Sequence, residues 1–256
     1  MKLYSTSIIG DFHINHNEDY YISSEIGTDK ILIAVLDGCS MGKESHFAAT
    51  LIGKTLRQIA KEYSYKEFIM SGNVGNVGQR HAFALRTLPI LLKNILRDLF
   101  KKLIIFKGSL GLEREELLST LILGIVDSKE KKAEILTVGD GLVSYNGELM
   151  EYEQDDRPDY LGYHLTEDFE TWFANQHQKL SLSNINDLSL STDGIFTFKP
   201  FNNQKYPFIT MEQIIDFLLK DKKELDSDNA LDRKLRHIEK EYGLRPTDDL
   251  TIIRWS

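Results

Sequence analysis

Ile31-Leu32-Ile33-Ala34-Val35-Leu36-Asp37-Gly38 is a run of apolar, partly β-branched residues that ends on an acid and a glycine. Its length and composition read as a β-strand. A hairpin turn at Asp37-Gly38 would need a second strand directly beyond it, and none follows. From about Lys43 to Glu62, residues Phe47, Ala48, Leu51, Ile52, Leu56, Ile59 and Ala60 recur at helical spacing and predict one apolar stripe. The acid therefore sits where a strand hands over to a helix. Asp140-Gly141 and Asp193-Gly194 also follow strand-like runs, and Glu18-Asp19 and Asp248-Asp249 directly precede them. Taken singly, an Asp-Gly pair is an ordinary turn, because Gly takes positive φ and Asp caps its own turn. Taken together, five acidic sites stand at predicted strand ends.

Working outward, Tyr20-Tyr21-Ile22 predicts a strand, as do Leu117–Val126, Ala133–Val138, Leu142–Tyr145, Leu188–Ser191 and Leu250–Trp255, with Gly147 in a hairpin turn. A second long helix is predicted from about Arg80 to Leu103, with Pro89 as its kink or its true start. Two more are expected over Met211–Leu219, opened by a Thr210/Gln213 capping box, and over Asp228–Tyr242. The glycine-bearing stretch 71–78 lacks a following Gly-Lys-Ser/Thr and reads as a connector. The stretch Gln154–Asn175 reads as a long surface excursion. Grouped strands and grouped helices predict an α+β fold with antiparallel sheets. No internal repeat or convincing boundary divides residues 1–256, so a single domain is expected.

Composition narrows the function. Of 256 residues, 41% are hydrophobic, enough for a sizeable core. The formal net charge of -8 argues against a nucleic-acid or anionic-membrane partner, since both need clustered cations. The longest apolar stretches fall far short of the roughly 20 residues of a membrane span. One cysteine, Cys39, cannot form an internal disulfide, and Met1-Lys2-Leu3-Tyr4 opens no signal peptide, so a cytoplasmic protein is expected. Carboxylates that converge on one sheet edge raise one another's pKa and are stable mainly with cations among them. All-oxygen ligands select hard ions such as Mg²⁺ or Mn²⁺, and Gly38 could let its carbonyl approach one closely.

In chain order, Asn17-Glu18-Asp19, Asp37-Gly38, Ser119-Thr120, Gly139-Asp140, Ser191-Thr192-Asp193-Gly194 and Asp248-Asp249-Leu250-Thr251 resemble the motif series of the metal-dependent protein phosphatases of the 2C type, bacterial members most of all. The resemblance spans Asn17 to Trp255. It implies a β-sandwich of two antiparallel sheets flanked by helix pairs, a four-layer αββα arrangement. It implies two or three Mg²⁺ or Mn²⁺ ions. Asp37 would serve two of them, Glu18 and the Gly38 carbonyl the second, Asp193 and Asp248 the first. Asp140 would share a third ion with Asp193, and Asp19 would orient the set. The implied reaction is hydrolysis of phosphoserine or phosphothreonine in a protein by a metal-activated water, with a cognate kinase as a possible counterpart. The stretch 154–175 falls where that family carries a variable flap.

The sequence departs from the family at the phosphate-gripping arginine, four residues before the motif Glu. Ile14 stands there, with His13 as a candidate substitute at the catalytic site and His16 as a weaker one. Ser40-Met41 and Leu118 also replace small family residues. A cysteine-phosphatase loop needs an arginine after five intervening residues, and Ser45 stands there instead. His46 is a candidate proton donor or a packing residue. Two other functions remain open: a catalytically weak module that binds phosphoprotein or metal, and a phosphatase of small metabolites.

Overall fold

The computed structural model describes residues 2–42, 44–72, 87–153, 158–223 and 225–256. In chain order the elements are β1 (Leu3–Ile8), β2 (Tyr20–Glu25), β3 (Lys30–Leu36), α1 (Ser45–Gly72), α2 (Leu88–Leu110), β4 (Leu121–Asp127), β5 (Lys132–Val138), β6 (Gly141–Tyr145), β7 (Glu148–Tyr152), α3 (Phe169–Asn175), β8 (Lys179–Ser183), β9 (Leu188–Ser191), β10 (Phe198–Pro200), α4 (Met211–Leu219), α5 (Ala230–Tyr242), β11 (Leu244–Pro246) and β12 (Leu250–Trp255). Short 3₁₀ turns occupy Arg114–Leu117, Leu161–Tyr163 and Asp193–Phe196.

β3 is buried over its last five residues and lies inside one sheet, between β2 and β4, in the order β2-β3-β4-β5-β8. The other sheet runs β1-β12-β9-β6-β7, and β10 and β11 form a small ribbon. Every recorded pairing is antiparallel. The α+β fold of two antiparallel sheets predicted from the sequence is the one observed.

Three hydrophobic clusters mark three interfaces between four layers. Ile33, Val35, Ile122, Ile135, Leu190 and Ile253 fill the space between the sheets. Ile52, Leu56 and Ile59 of α1, with Ile95, Leu96 and Leu99 of α2, cover the β3 sheet. Ile214 and Leu218 of α4, with Leu231 and Ile238 of α5, cover the β12 sheet. Burial on both faces explains why the central strands are apolar at consecutive positions rather than alternating.

Several boundaries differ from the sequence reading. Helix α1 runs ten residues past Glu62. Pro89 sits in the first turn of α2, where its missing N–H has no intrahelical partner to lose; the predicted residues 80–86 and most of the 71–78 connector lie outside the described residues. Leu117 ends a 3₁₀ turn, and the strand begins at Leu121. Of the stretch read as a surface excursion, residues 158–175 bury Leu161, Leu165 and Trp172 in the α1–α2 core. Phe169, Trp172 and Phe173 are packing residues, which the irregular pattern hid. The Thr210/Gln213 capping box forms as predicted. So does the β6–β7 hairpin, in which Asn146 (φ 48°) and Gly147 (φ 93°) supply the positive dihedrals of a tight turn. Among the described residues, no helix is long and apolar enough to cross a membrane.

Candidate active site: an acidic edge shared by two sheets

Strand register carries the acids to one end of the sandwich. Tyr20 pairs with Leu36, so Asp19 and Asp37 are the next residues beyond that ladder. One step further, the Gly38 N–H donates to the Glu18 carbonyl at 3.2 Å. In the other sheet Leu142 pairs with Ser191, which directs Asp140 and Asp193 to one end. Ile8 pairs with Leu250, and beyond that pair the Gly10 N–H donates to Asp249 Oδ1 at 2.8 Å. A bridge from Gly38 to Ser119, and Thr120 N–H donating to the Asp37 carbonyl at 2.8 Å, tie the edge together.

Gly38 is required by space: a Cβ there would lie 2.0 Å from the Ser45 carbonyl and 3.0 Å from that of Glu18. Glu18 accepts from Ser40 Oγ at 2.7 Å and from Ser45 Oγ. Asp249 is buried and accepts the Glu18 N–H on Oδ2 at 2.5 Å, so it organises the loop that presents Glu18. Asp19, 6% exposed, accepts from Thr192 Oγ1 at 2.8 Å on Oδ2, while its Oδ1 has no hydrogen-bond partner among the described residues.

These carboxyls perturb one another. Burial pushes Asp37 well above the usual carboxylate range, and Asp19, Asp193, Asp248 and Asp140 push it further. Asp19 is raised in the same way by burial and by Asp249 and Asp193, against the hydroxyl of Thr192. Asp193 is pushed up to about 7 by burial and by Asp140 and Asp248. Asp140 and Asp248 are also raised, burial being the largest cause. His13 stands 2.9 Å from Asp249 and 3.4 Å from Asp248. Burial alone would lower its pKa, but those carboxylates and Glu18 raise it overall.

The residues fit hard divalent cations. The donors are oxygens, their charges repel, and a buried carboxylate oxygen lacks a partner. Among the described residues no three His, Cys, Asp or Glu side chains close a ligand set unaided. Water and the Gly38 carbonyl would have to complete any coordination sphere, as Mg²⁺ tolerates.

All of the acids singled out in the sequence lie at this edge, and His13 lies among them. His46 stacks on His16, ring centroids 4.4 Å apart, one residue from the Ser45 that contacts Glu18. Ile14 is 90% exposed. Cys39 is buried, its N–H donating to the Leu118 carbonyl at 3.2 Å, with no arginine in the loop sequence after it. Sequence reasoning missed Tyr160, whose phenol is raised by burial and by Cys39, Asp37 and Asp140. No local signal marks it. The part Asp249 plays was also missed, although the Asp248-Asp249 doublet pointed to it.

The family model for protein phosphatase 2C matches residues 9–236. No curated protein matches the chain significantly by sequence. Among solved structures, a point variant of a bacterial serine phosphatase superposes with a TM-score of 0.58 at 16% identity, over 99% of this chain and 97% of that one. The serine/threonine phosphatase Stp1 from Staphylococcus aureus gives 0.56 at 15% identity, over 99% and 93%. A phosphatase domain with a regulatory-domain fragment of SpoIIE from Bacillus subtilis gives 0.56 at 17%, over 99% of this chain and 62% of that one. At such identities these likenesses speak for the fold, and the match of the family model over most of the chain speaks for the family. The chain belongs to the protein phosphatase 2C family.

Proposed function

We propose that the chain is a metal-dependent phosphatase acting on phosphoserine and phosphothreonine in proteins. The observation that carries this reading is the burial and mutual repulsion of carboxyls at the edge shared by the two sheets, where Asp19, Asp37, Asp140, Asp193 and Asp248 all have raised pKa values. Such a set is costly without cations and becomes favourable with them.

Asp37 would hold two ions, with Glu18 and the Gly38 carbonyl on one side and Asp193 and Asp248 on the other. Asp140 would share a third, weaker ion with Asp193. Mg²⁺ or Mn²⁺, when bound, would acidify a water and neutralise phosphoryl charge. Asp19 and Asp249 position the ligand-bearing loops through Thr192, Gly10 and Glu18. His13 presents a positive charge to the phosphoryl group, where the family commonly uses an arginine. Cys39 takes no part as a nucleophile.

Release of phosphate from an aryl phosphate and from phosphoserine and phosphothreonine peptides, with Mn²⁺ and then with chelator, tests the reading. Metal-dependent release from both substrate types is expected. Ile14 in the arginine position favours a second reading, a module that binds phosphoprotein without turnover. No release at all, with metal binding confirmed calorimetrically, would replace the first reading by the second.

A further inference from the structure

A groove of about 440 Å³ opens beside the acidic edge, floored by Ile8, Ile9, Phe198, Leu235, Leu244 and Pro246. Asp11 of the turn Gly10–His13 also lines it, and the Asp11 and Phe12 N–H groups donate to the carbonyls of Pro246 and Thr247, each at 3.0 Å. Asp248 follows two residues after Pro246, which is about 7 Å of extended chain at most. The adjoining chain is exposed and largely apolar: Ile9 is 43% exposed, Phe12 71%, with Lys199 Nζ 5.6 Å from its ring centroid, and Ile14 90%. Single exposed hydrophobics are ordinary, but three within six residues, beside a groove and next in sequence to His13, mark a surface suited to contact.

The charged side chains lining the groove are Asp11, Asp232, Arg236, Glu239 and Arg245, three acids and two arginines. Arg245 pairs with Glu239 at 2.5 Å, reaches Asp11 at 3.7 Å and lies over the Phe201 ring at 4.3 Å. Asp232 accepts from Thr6 Oγ1 at 2.5 Å. Arg236 Nε donates to the Asp232 carbonyl at 3.2 Å. With three acids against two arginines the lining is net acidic, so an uncharged side chain suits the floor better than an acidic one.

Resting on the phosphoprotein reading above, we propose that this groove is a specificity subsite that takes a bulky apolar side chain two or three residues from the phosphorylated residue. A chain crossing Phe12 joins groove and edge, so the substrate is an extended polypeptide rather than a small metabolite. Burying a leucine there gains a transfer free energy equivalent to about tenfold or more in affinity.

The test compares phosphoserine peptides bearing leucine or aspartate two or three residues away, on each side in turn, with Mn²⁺. On one side the leucine peptide is expected to show about tenfold higher kcat/KM. Ile9→Asp and, separately, Phe12→Ala should bring that ratio near one while circular dichroism and Tm report an intact fold. A wild-type ratio near one on both sides, or a ratio unchanged in both variants, overturns the proposal. If wild type releases no phosphate even from an aryl phosphate, the catalytic reading has failed, and fluorescence anisotropy of the same labelled peptides decides the groove. Tighter binding of a leucine peptide, lost in Ile9→Asp, supports it, and equal affinities overturn it.

Discussion

Asp37 and Asp193 are held where a carboxylate is least comfortable without a cation. Their raised pKa values mean that the folded, metal-free chain binds protons more readily than the unfolded one. The stability this contributes is fully present below the unfolded carboxyl pKa and is lost as pH rises through the folded values. For Asp193, pushed up to about 7, the window runs from about pH 4 to about pH 7. Chelated protein is therefore expected to melt lower at pH 7.5 than at pH 5.5, and saturating Mn²⁺ should reduce that difference. A metal-free Tm that is flat or rising across this range would contradict the burial of these acids. Asp37→Asn should abolish phosphate release and raise the metal-free Tm, since it removes charge from the repelling set. Ile14 yields a separate expectation. Being 90% exposed, it can be replaced without repacking, and Ile14→Arg should restore a charge-assisted phosphate contact and lower KM for an aryl phosphate with little change in kcat. A raised KM in that variant would show that the position does not face the phosphate.

Single elements are fastened by buried cations. Arg254 of β12 is fully buried and grips Asp187 with two hydrogen bonds, at 3.0 and 2.7 Å. Its remaining N–H groups donate to the carbonyls of Leu218, Asp221 and Lys220. Lys234 of α5 donates to the carbonyls of Phe217 and Asp221, each at 2.6 Å. Carbonyls in the last turn of α4 and just beyond, which a helix leaves without internal partners, are thus satisfied from two neighbouring elements. Removing one partner of a buried ion pair strands the other, so Asp187→Ala is expected to cost about 3–5 kcal/mol in urea unfolding. A loss under about 1 kcal/mol would show that the carbonyls alone satisfy Arg254. At the other end of α4, Thr210→Ala removes the cap and should cost about 1 kcal/mol.

For the molecule as a whole, the acidic edge lies where both sheets of the sandwich end, so ions bound there would tie the two together. Free Mn²⁺ or Mg²⁺ at about 100 times its Kd should add about 2.7 kcal/mol if the unfolded chain does not bind it. An unchanged Tm in millimolar metal would count against the metal centre.

The sequence by itself determined the local elements and the order of the acids. The apolar run Ile31–Leu36, the helical stripe from Phe47 to Ala60 and the Thr210/Gln213 cap are short-range patterns with one low-energy reading, and the structure contains each. The motif series announced the family, because those acids need no partner to be recognised in order. Only the tertiary structure decided what lies beside what. Leu3 pairs with Trp255 across nearly the whole chain; the edge strands β1 and β7 carry too little apolar periodicity to announce themselves, and the alternation of Leu180 and Leu182 with polar residues in β8 spans only five residues. Residues Leu161, Leu165 and Trp172 lie in an irregular stretch, and nothing local told whether they cover the core or leave it. The raised pKa of Asp37 arises from burial and from carboxylates brought together by two separate sheets. Burial and repulsion depend on distances in space, which a chain acquires only when its strands pair.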